Sequence, residues 1–357
     1  MQTSSVPSAA PLPLIDKPRY EWIDNARVVA ALLIIYVHMA SFFPAEPHVH
    51  NDLGFSLTRL TTYYGRVPFF LILAGYFLAR RITWHKALDR ALWLFIPFVA
   101  WNVLYYLWTH IHSPVSFSDI PWIIGLGPFF SKNSILFADY GGTPYIGISW
   151  FLRDIIVLSL LTPIFYRIRR VFSILLVIIV SLDPWIPLSS NTTIIMAPGN
   201  CFYYLLGVCL VDFRIADAYR ILNKKFTPFL IVGLAVGTAI SFYTAGNGLP
   251  SVRPALIGSV FGALMIAQSG VLIEKHLPKL SKLLAPCGPA CFLVFMLHQP
   301  LFQMAAPFLP KWLTGSWLVW LLPFPACAGI ITFFLLMKRF TPWLMPYLAH
   351  MKMPKKA

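Results

Sequence analysis

Long apolar segments recur along this chain, and they constrain its fold more than any other feature. We distinguish ten, each close to the length that crosses the hydrocarbon core of a bilayer. They cover residues 24–43, 60–79, 91–109, 146–166, 171–187, 198–213, 227–244, 254–273, 285–307 and 317–337. In lipid the backbone polar groups must be hydrogen-bonded within the segment, so such segments fold as helices. The sequence therefore predicts an all-α, polytopic integral membrane protein with about ten transmembrane helices.

The distribution of charge predicts the orientation of these helices. Only 11% of the residues are charged and 58% are hydrophobic, whereas a soluble domain has about 25% charged residues. Most of the Lys and Arg residues fall in alternate loops, beginning with the loop that precedes the first segment. Basic residues favour the cytosolic side, which places both termini there. The net charge of +15 is thus explained by orientation, and we expect no nucleic-acid partner.

Three regions follow from this pattern. Residues 1–18 are rich in Pro and Ser and are expected to form a flexible cytosolic lead-in without a cleavable signal peptide. Residues 19–340 form the membrane domain, and residues 341–357 form a basic cytosolic tail. We expect no appended soluble domain, so any chemistry belongs to the membrane domain itself.

The first apolar segment contains a histidine well inside the membrane. Asp24 and Arg27 stand at its start, and His38 follows eleven residues after Arg27, about 16 Å further along a helix. An ionisable group at this depth is costly and marks a candidate functional site. The alternative interpretation is a histidine that only hydrogen-bonds a neighbouring helix.

Other ionisable residues inside the apolar segments extend this inventory. Arg66 suits either an anionic substrate group or the outer headgroups. Arg153 and Asp154 are adjacent, about 100° apart on a straight helix, so we expect each to pair with a different helix. His298 is equally compatible with packing and with catalysis. His48, His50, His110 and His112 have an i, i+2 spacing that suits weak metal binding, but we interpret them as solvated loop residues, and no HExxH motif occurs. The inventory suits a transporter as well as a membrane-embedded transferase.

Several segments together resemble one family of membrane proteins. The spacing of Asp24, Arg27 and His38 matches the opening pattern of acyltransferase family 3, in which ten residues separate the arginine from the histidine. Further similar segments are VPFFLILAGYFL (67–78), SWFLRDIIVLSLLTP (149–163), CFYYLLGVCL (201–210) and VFMLHQPL (294–301). In the second segment Ala74 stands where the family has serine, and Arg66 lies closer to the proline than usual. The matches occur in order over nearly the whole chain.

This resemblance implies a chemistry. Members of the family transfer an acyl group, usually acetyl, from acyl-CoA to a sugar hydroxyl of a surface polysaccharide, exopolysaccharide or lipid-linked glycan. His38 is then the catalytic group, Arg27 the cytosolic-side group that holds the coenzyme A phosphates, and Asp24 the residue that orients Arg27. Arg66, Arg153, Asp154 and His298 are candidates for substrate binding. The resemblance also implies acetyl-CoA or another acyl-CoA as donor, no metal, a bacterial inner (cytoplasmic) membrane location, and polysaccharide assembly proteins as further partners.

Two alternatives stay open beside the transferase. A glycan exporter or flippase would use the same histidines and arginines to line a path, and a scaffold of a polysaccharide assembly complex would use them for packing. Within the transferase interpretation, His38 acts either as a general base or as the carrier of the acyl group. Basic residues at the cytosolic face, such as Arg80, Arg81 and Arg90, fit attraction of a nucleotide and membrane topology equally well.

Overall fold

The computed structural model describes residues 20–42, 65–80, 82–109, 150–182, 198–246, 256–314 and 316–349. The regular elements within these ranges are helical, as the sequence predicts. They are α1 (Glu21–Phe42), α2 (Arg66–Ala79), α3 (Trp84–Thr109), α4 (Trp150–Leu182), α5 (Pro198–Cys209), α6 (Ile215–Ile221), α7 (Thr227–Gly246), α8 (Leu256–His276), α9 (Pro278–Leu284), α10 (Cys291–Ala305), α11 (Lys311–Thr314), α12 (Pro323–Phe340) and α13 (Met345–Leu348). Short 3-10 turns join several of them, including Ala285–Ala290 before α10.

The helices have the composition of a membrane protein. Within the described ranges, 4 helical stretches are long and apolar enough to cross a bilayer: Trp84–Trp108, Leu256–His276, Pro278–Phe308 and Leu318–Phe340. Two shorter apolar helices, Arg66–Ala79 and Gly199–Asp212, stand beside them. Large apolar side chains such as Ile174 and Val232 are exposed on the outside of the bundle, where lipid is the favourable solvent for them. The count of ten spans is not confirmed, since two of the predicted spans share one continuous helix, and the cytosolic termini stay a prediction.

Helix α1 lies within the bundle. It packs against α2, α8, α10 and α12, and against the 3-10 turn before α10. Its residues Ala26, Ala30 and Ala31 are buried, and such small side chains let neighbouring helices approach closely. The buried polar residues Asp24 and Asn25 are therefore held among protein groups.

Helices α1 and α10 run in the same direction. Asp24, near the start of α1, lies against Gly288 just before α10, and His38 lies beside His298 within α10. We call the end of the bundle marked by Asp24 and Gly288 the N-terminal face. The two histidines therefore lie deeper in the bundle than Asp24 and Gly288, along the same two helices.

Two glycines bring α2 and α5 into backbone contact. A Cβ atom at Gly75 would lie 2.2 Å from the carbonyl oxygen of Tyr204, and one at Gly207 would lie 2.1 Å from that of Ile72. Since any side chain at either position would overlap the neighbouring backbone, only glycine allows this approach. The contact fixes α2, and with it Arg66, against the rest of the bundle.

The structure corrects one predicted loop. The segments 146–166 and 171–187 were predicted as separate spans with a basic loop between them, but Trp150–Leu182 forms one α-helix of 33 residues. Arginine is a good helix former, and neither Gly nor Pro interrupts residues 167–170. The side chain of Arg169 also binds Asp212 at 3.2 Å and lies over the ring of Tyr166. These contacts hold the basic residues on the surface of a continuous helix.

Candidate active site

The centre of the candidate site is a pair of histidines from two parallel helices. The imidazole rings of His38 on α1 and His298 on α10 have centroids 5.1 Å apart and planes inclined by 41°. His298 is fully buried and His38 is half-buried. Both residues are recognisable in the sequence as intramembrane histidines, but nothing in the sequence places them together.

The backbone of α10 fixes the protonation pattern of His298. Its Nδ1 atom lies 3.0 Å from the carbonyl oxygen of Val294. A carbonyl oxygen can only accept a hydrogen bond, so Nδ1 carries the hydrogen. In the neutral ring Nε2 is then the nitrogen with the lone pair.

Arg66 lies near both imidazoles. It is the first residue of α2, and its charge acts electrostatically on His38 and on His298. The preceding Gly65 has a φ of 98°, and a Cβ atom there would lie 2.1 Å from the backbone of Gly262 in α8. The left-handed glycine therefore sets the start of α2 directly on α8 and fixes the position of Arg66.

Aromatic side chains form the wall beside His298. The ring of Phe295 lies 6.2 Å from His298 and 4.8 Å from Phe151 of α4. Phe151 in turn lies 6.4 Å from Phe70 of α2. Phenylalanines in apolar segments carry no signal of which ones will meet, so the sequence does not reveal this wall.

A second group of charges lies at the N-terminal face. Arg27 Nη1 is 3.3 Å from Asp24 Oδ1, with 39% of the Arg27 side chain and 10% of the Asp24 side chain exposed. Arg90 of α3 also interacts electrostatically with Arg27. His38 is about 16 Å from Arg27 along the helix axis. The three residues predicted as catalytic therefore lie in two places, with Asp24 and Arg27 at the face and His38 in the interior.

Hydrogen bonds anchor the start of α1 at this face. The buried Asn25 donates from Nδ2 to Ser281 Oγ of α9 at 2.8 Å. Ser281 in turn donates to Glu21 at 3.4 Å. This anchor, which the sequence did not reveal, holds the helix that carries both Arg27 and His38.

The adjacent Arg153 and Asp154 pair with each other, which corrects part of the expectation that each would pair with a different helix. Arg153 Nη2 lies 3.2 Å from Asp154 Oδ1, because the long arginine side chain can fold back along the helix. Asp154 is fully buried and also accepts a hydrogen bond from Asn200 Nδ2 of α5 at 2.7 Å. The carboxylate therefore joins α4 to α5, as well as to its own neighbour.

The described residues contain no group of three or more His, Cys, Asp or Glu side chains that could hold a metal ion. What they offer instead is an imidazole pair, a nearby guanidinium and a separate basic group at one face. Such a set can move a proton, stabilise an oxyanion and hold an anionic group.

Comparison with protein families identifies the chain. The family model for the acyltransferase 3 domain, described as an acyltransferase domain, matches residues 20–339. The chain belongs to the acyltransferase 3 family. The protein is therefore an acyltransferase, and its apolar helices make it a membrane acyltransferase. No curated protein and no solved structure matches it.

Proposed function

We propose that this acyltransferase moves an acyl group, most simply acetyl, from acyl-CoA to a sugar hydroxyl of a surface polysaccharide, exopolysaccharide or lipid-linked glycan. The observation that carries the proposal is the placement of two chemically different sites on one helix. Arg27 stands at the N-terminal face and His38 stands about 16 Å deeper. Acyl-CoA is an elongated molecule with phosphates at one end and a thioester at the other, which suits this separation.

Arg27 is the group we assign to the donor phosphates. A guanidinium forms paired, charge-assisted hydrogen bonds with phosphate oxygens. The partial exposure of Arg27 leaves it accessible, and its contact with Asp24 orients it. Arg90, whose charge acts on Arg27, adds to the positive potential at this face. With the N-terminal face cytosolic, the donor enters from the cytosol.

His38 acts as the general base. Its neutral imidazole takes the proton from the sugar hydroxyl while the hydroxyl oxygen attacks the thioester carbonyl. General base catalysis of this kind typically raises the rate by about 10²–10⁴-fold. The new C–O bond forms, the C–S bond breaks, and the proton passes from His38 to the coenzyme A thiolate. We assign Arg66 to stabilise the oxyanion of the tetrahedral intermediate, and its electrostatic effect on both imidazoles supports this role.

The acceptor is assigned to the side of the site near α4. Phe70 is partly buried and is backed by the buried Phe151 and Phe295, and it is the ring of the aromatic wall that we assign to pack against a sugar ring. Arg153, with 18% of its side chain exposed, is assigned to the acceptor as a separate hydrogen-bond donor, since its Cβ points to a different side of α4 from that of Phe151. Asp154 serves this site indirectly by holding Arg153 and Asn200. We place the enzyme as a multi-pass protein in a bacterial inner membrane, working beside polysaccharide assembly proteins.

The test is the acylation state of glycans in cells that carry single-residue variants. His38→Gln keeps hydrogen bonding but cannot act as a base, so we expect normal protein levels in the membrane and loss of O-acylation, measured by mass spectrometry. His276→Gln, at the exposed end of α8, is the matched control and should leave acylation unchanged. Full acylation by His38→Gln would contradict the proposed role of His38.

A further inference from the structure

His298 has a polar side chain that is fully buried in the bundle, yet the chemistry above uses only His38. Burial of a histidine in a membrane domain is costly, so such residues are usually bound to a specific partner. Hydrogen bonding to the backbone of its own helix, including Nδ1 to the carbonyl oxygen of Val294, holds the His298 ring in place. The ring centroid of His38 lies 5.1 Å from that of His298, so His38 is the neighbour through which we seek a role for His298.

The separation of the rings fits an edge-to-edge link. An N–H···N hydrogen bond of about 3 Å, extended by about 1 Å from each nitrogen to its ring centre, gives about 5 Å between centroids. Since Nδ1 of His298 carries its hydrogen toward Val294, Nε2 is the acceptor nitrogen of that ring. His38 can therefore act as the donor of such a link, and its second nitrogen then holds the lone pair.

From this geometry we propose that His298 is the positioning residue of His38. In the working enzyme, His38 donates one ring N–H to Nε2 of His298, which fixes the tautomer and the orientation of the base. The other nitrogen of His38 then faces the acceptor hydroxyl, takes its proton and passes it to the leaving thiolate. His298 keeps its own protonation throughout and stabilises the transient imidazolium by accepting its N–H. This proposal rests on the proposed function, in which His38 is the general base, and it assigns His298 as the residue that orients His38.

The positive charge of Arg66 explains why a neutral imidazole suits the position of His298 better than a carboxylate. A carboxylate at the place of His298 would form an ion pair with a guanidinium whose charge already acts there. Such a pair would cancel the positive charge that the oxyanion needs. An imidazole orients His38 and leaves the charge of Arg66 available to the reaction.

Two isosteric substitutions separate positioning from packing. His298→Gln places an amide oxygen where Nε2 stands and removes the donor to Val294, whereas His298→Asn keeps a donor near Nδ1 and removes the acceptor. Positioning predicts a kcat about 100-fold lower for His298→Asn, as expected for a misplaced catalytic group, with partial rescue in His298→Gln. KM for acetyl-CoA should be unchanged in both, because Arg27 lies elsewhere. A purely structural role predicts the reverse order of the two variants.

A second readout does not depend on acyl transfer. Nitrogen NMR of histidine-labelled, purified protein reports the tautomer of each ring, and His38→Gln and His276→Gln spectra assign the His38 signals against a control. We expect a single fixed tautomer of His38 in the wild type. Averaged tautomers of His38, or a His298→Asn variant with wild-type kcat, would overturn the proposal. A fixed tautomer in a protein that turns over no acyl-CoA would instead contradict the proposed function and leave the histidine link supported.

Discussion

Gly288 provides a sharp test of how the N-terminal face is built. A Cβ atom at this position would lie 2.3 Å from Asp24 Oδ1 and 2.6 Å from both Cβ and Cγ of Asp24. Normal contacts between such atoms need more than 3 Å, so Asp24 or the 3-10 turn must move by about 1 Å. The displaced Oδ1 is the same atom that Arg27 contacts at 3.3 Å. Gly288→Ala should therefore disturb stability and donor binding together.

The expected magnitudes follow from these contacts. Overpacking of a buried site costs about 1–3 kcal/mol in the free energy of unfolding. A partly exposed ion pair such as that of Arg27 and Asp24 contributes at most about 1 kcal/mol. If all of this energy orients Arg27 for the donor, its loss raises KM for acetyl-CoA by no more than about fivefold. We expect a lower midpoint of thermal unfolding in detergent and a higher KM, with a smaller change in kcat.

Gly329 supplies the matched control for this substitution. It lies in α12, and a Cβ atom there meets nothing within 4 Å, so Gly329→Ala should be neutral or stabilise the helix by up to about 1 kcal/mol. In an Asp24→Ala background two of the three close contacts disappear, and Gly288→Ala should then cost clearly less. Equal unfolding midpoints for Gly288→Ala and Gly329→Ala in the wild-type background would refute the reasoning.

Three further predictions concern binding and packing. Arg27→Ala should raise KM for acetyl-CoA without reducing membrane insertion, and an unchanged KM would remove Arg27 from the donor site. Asn200→Ala removes the 2.7 Å hydrogen bond to the buried Asp154, so the free energy of unfolding should fall by about 1–3 kcal/mol, and an unchanged thermal midpoint would argue against it. Gly75→Ala would bring a Cβ atom to 2.2 Å from Tyr204 and should lower both stability and activity by moving α2, whereas activity at the wild-type level would show that α2 tolerates the shift.

The helical class and the family could be predicted from the sequence because both depend on local signals. Apolar segments report helices directly, and the spacing of Arg27 and His38 lies within one segment. The approach of His38 to His298 could not be predicted, since the two residues are far apart in the chain and neither segment encodes which helix faces it. The same limit hid the hydrogen bond between Asn25 and Ser281.

One expectation failed and another was confirmed only in part, and both outcomes have identifiable physical reasons. The direction of Cβ atoms predicted separate partners for Arg153 and Asp154, but a long arginine side chain reaches beyond the direction in which its Cβ points. The basic residues 167–170 were read as a loop because of their charge, although their helix propensity is high and Arg169 finds partners on the helix surface. A run of charged residues therefore does not by itself predict a break in a helix.

The central claim is that His38 acts on an acyl donor held by this bundle. Its most direct test uses purified protein in lipid or detergent, labelled acetyl-CoA and no acceptor, with binding and slow release of the label measured for the wild type and His38→Gln. We predict binding by both proteins, and label release by the wild type that His38→Gln lacks. No binding of acetyl-CoA or of longer acyl-CoA donors, or equal release by both proteins, would contradict the account.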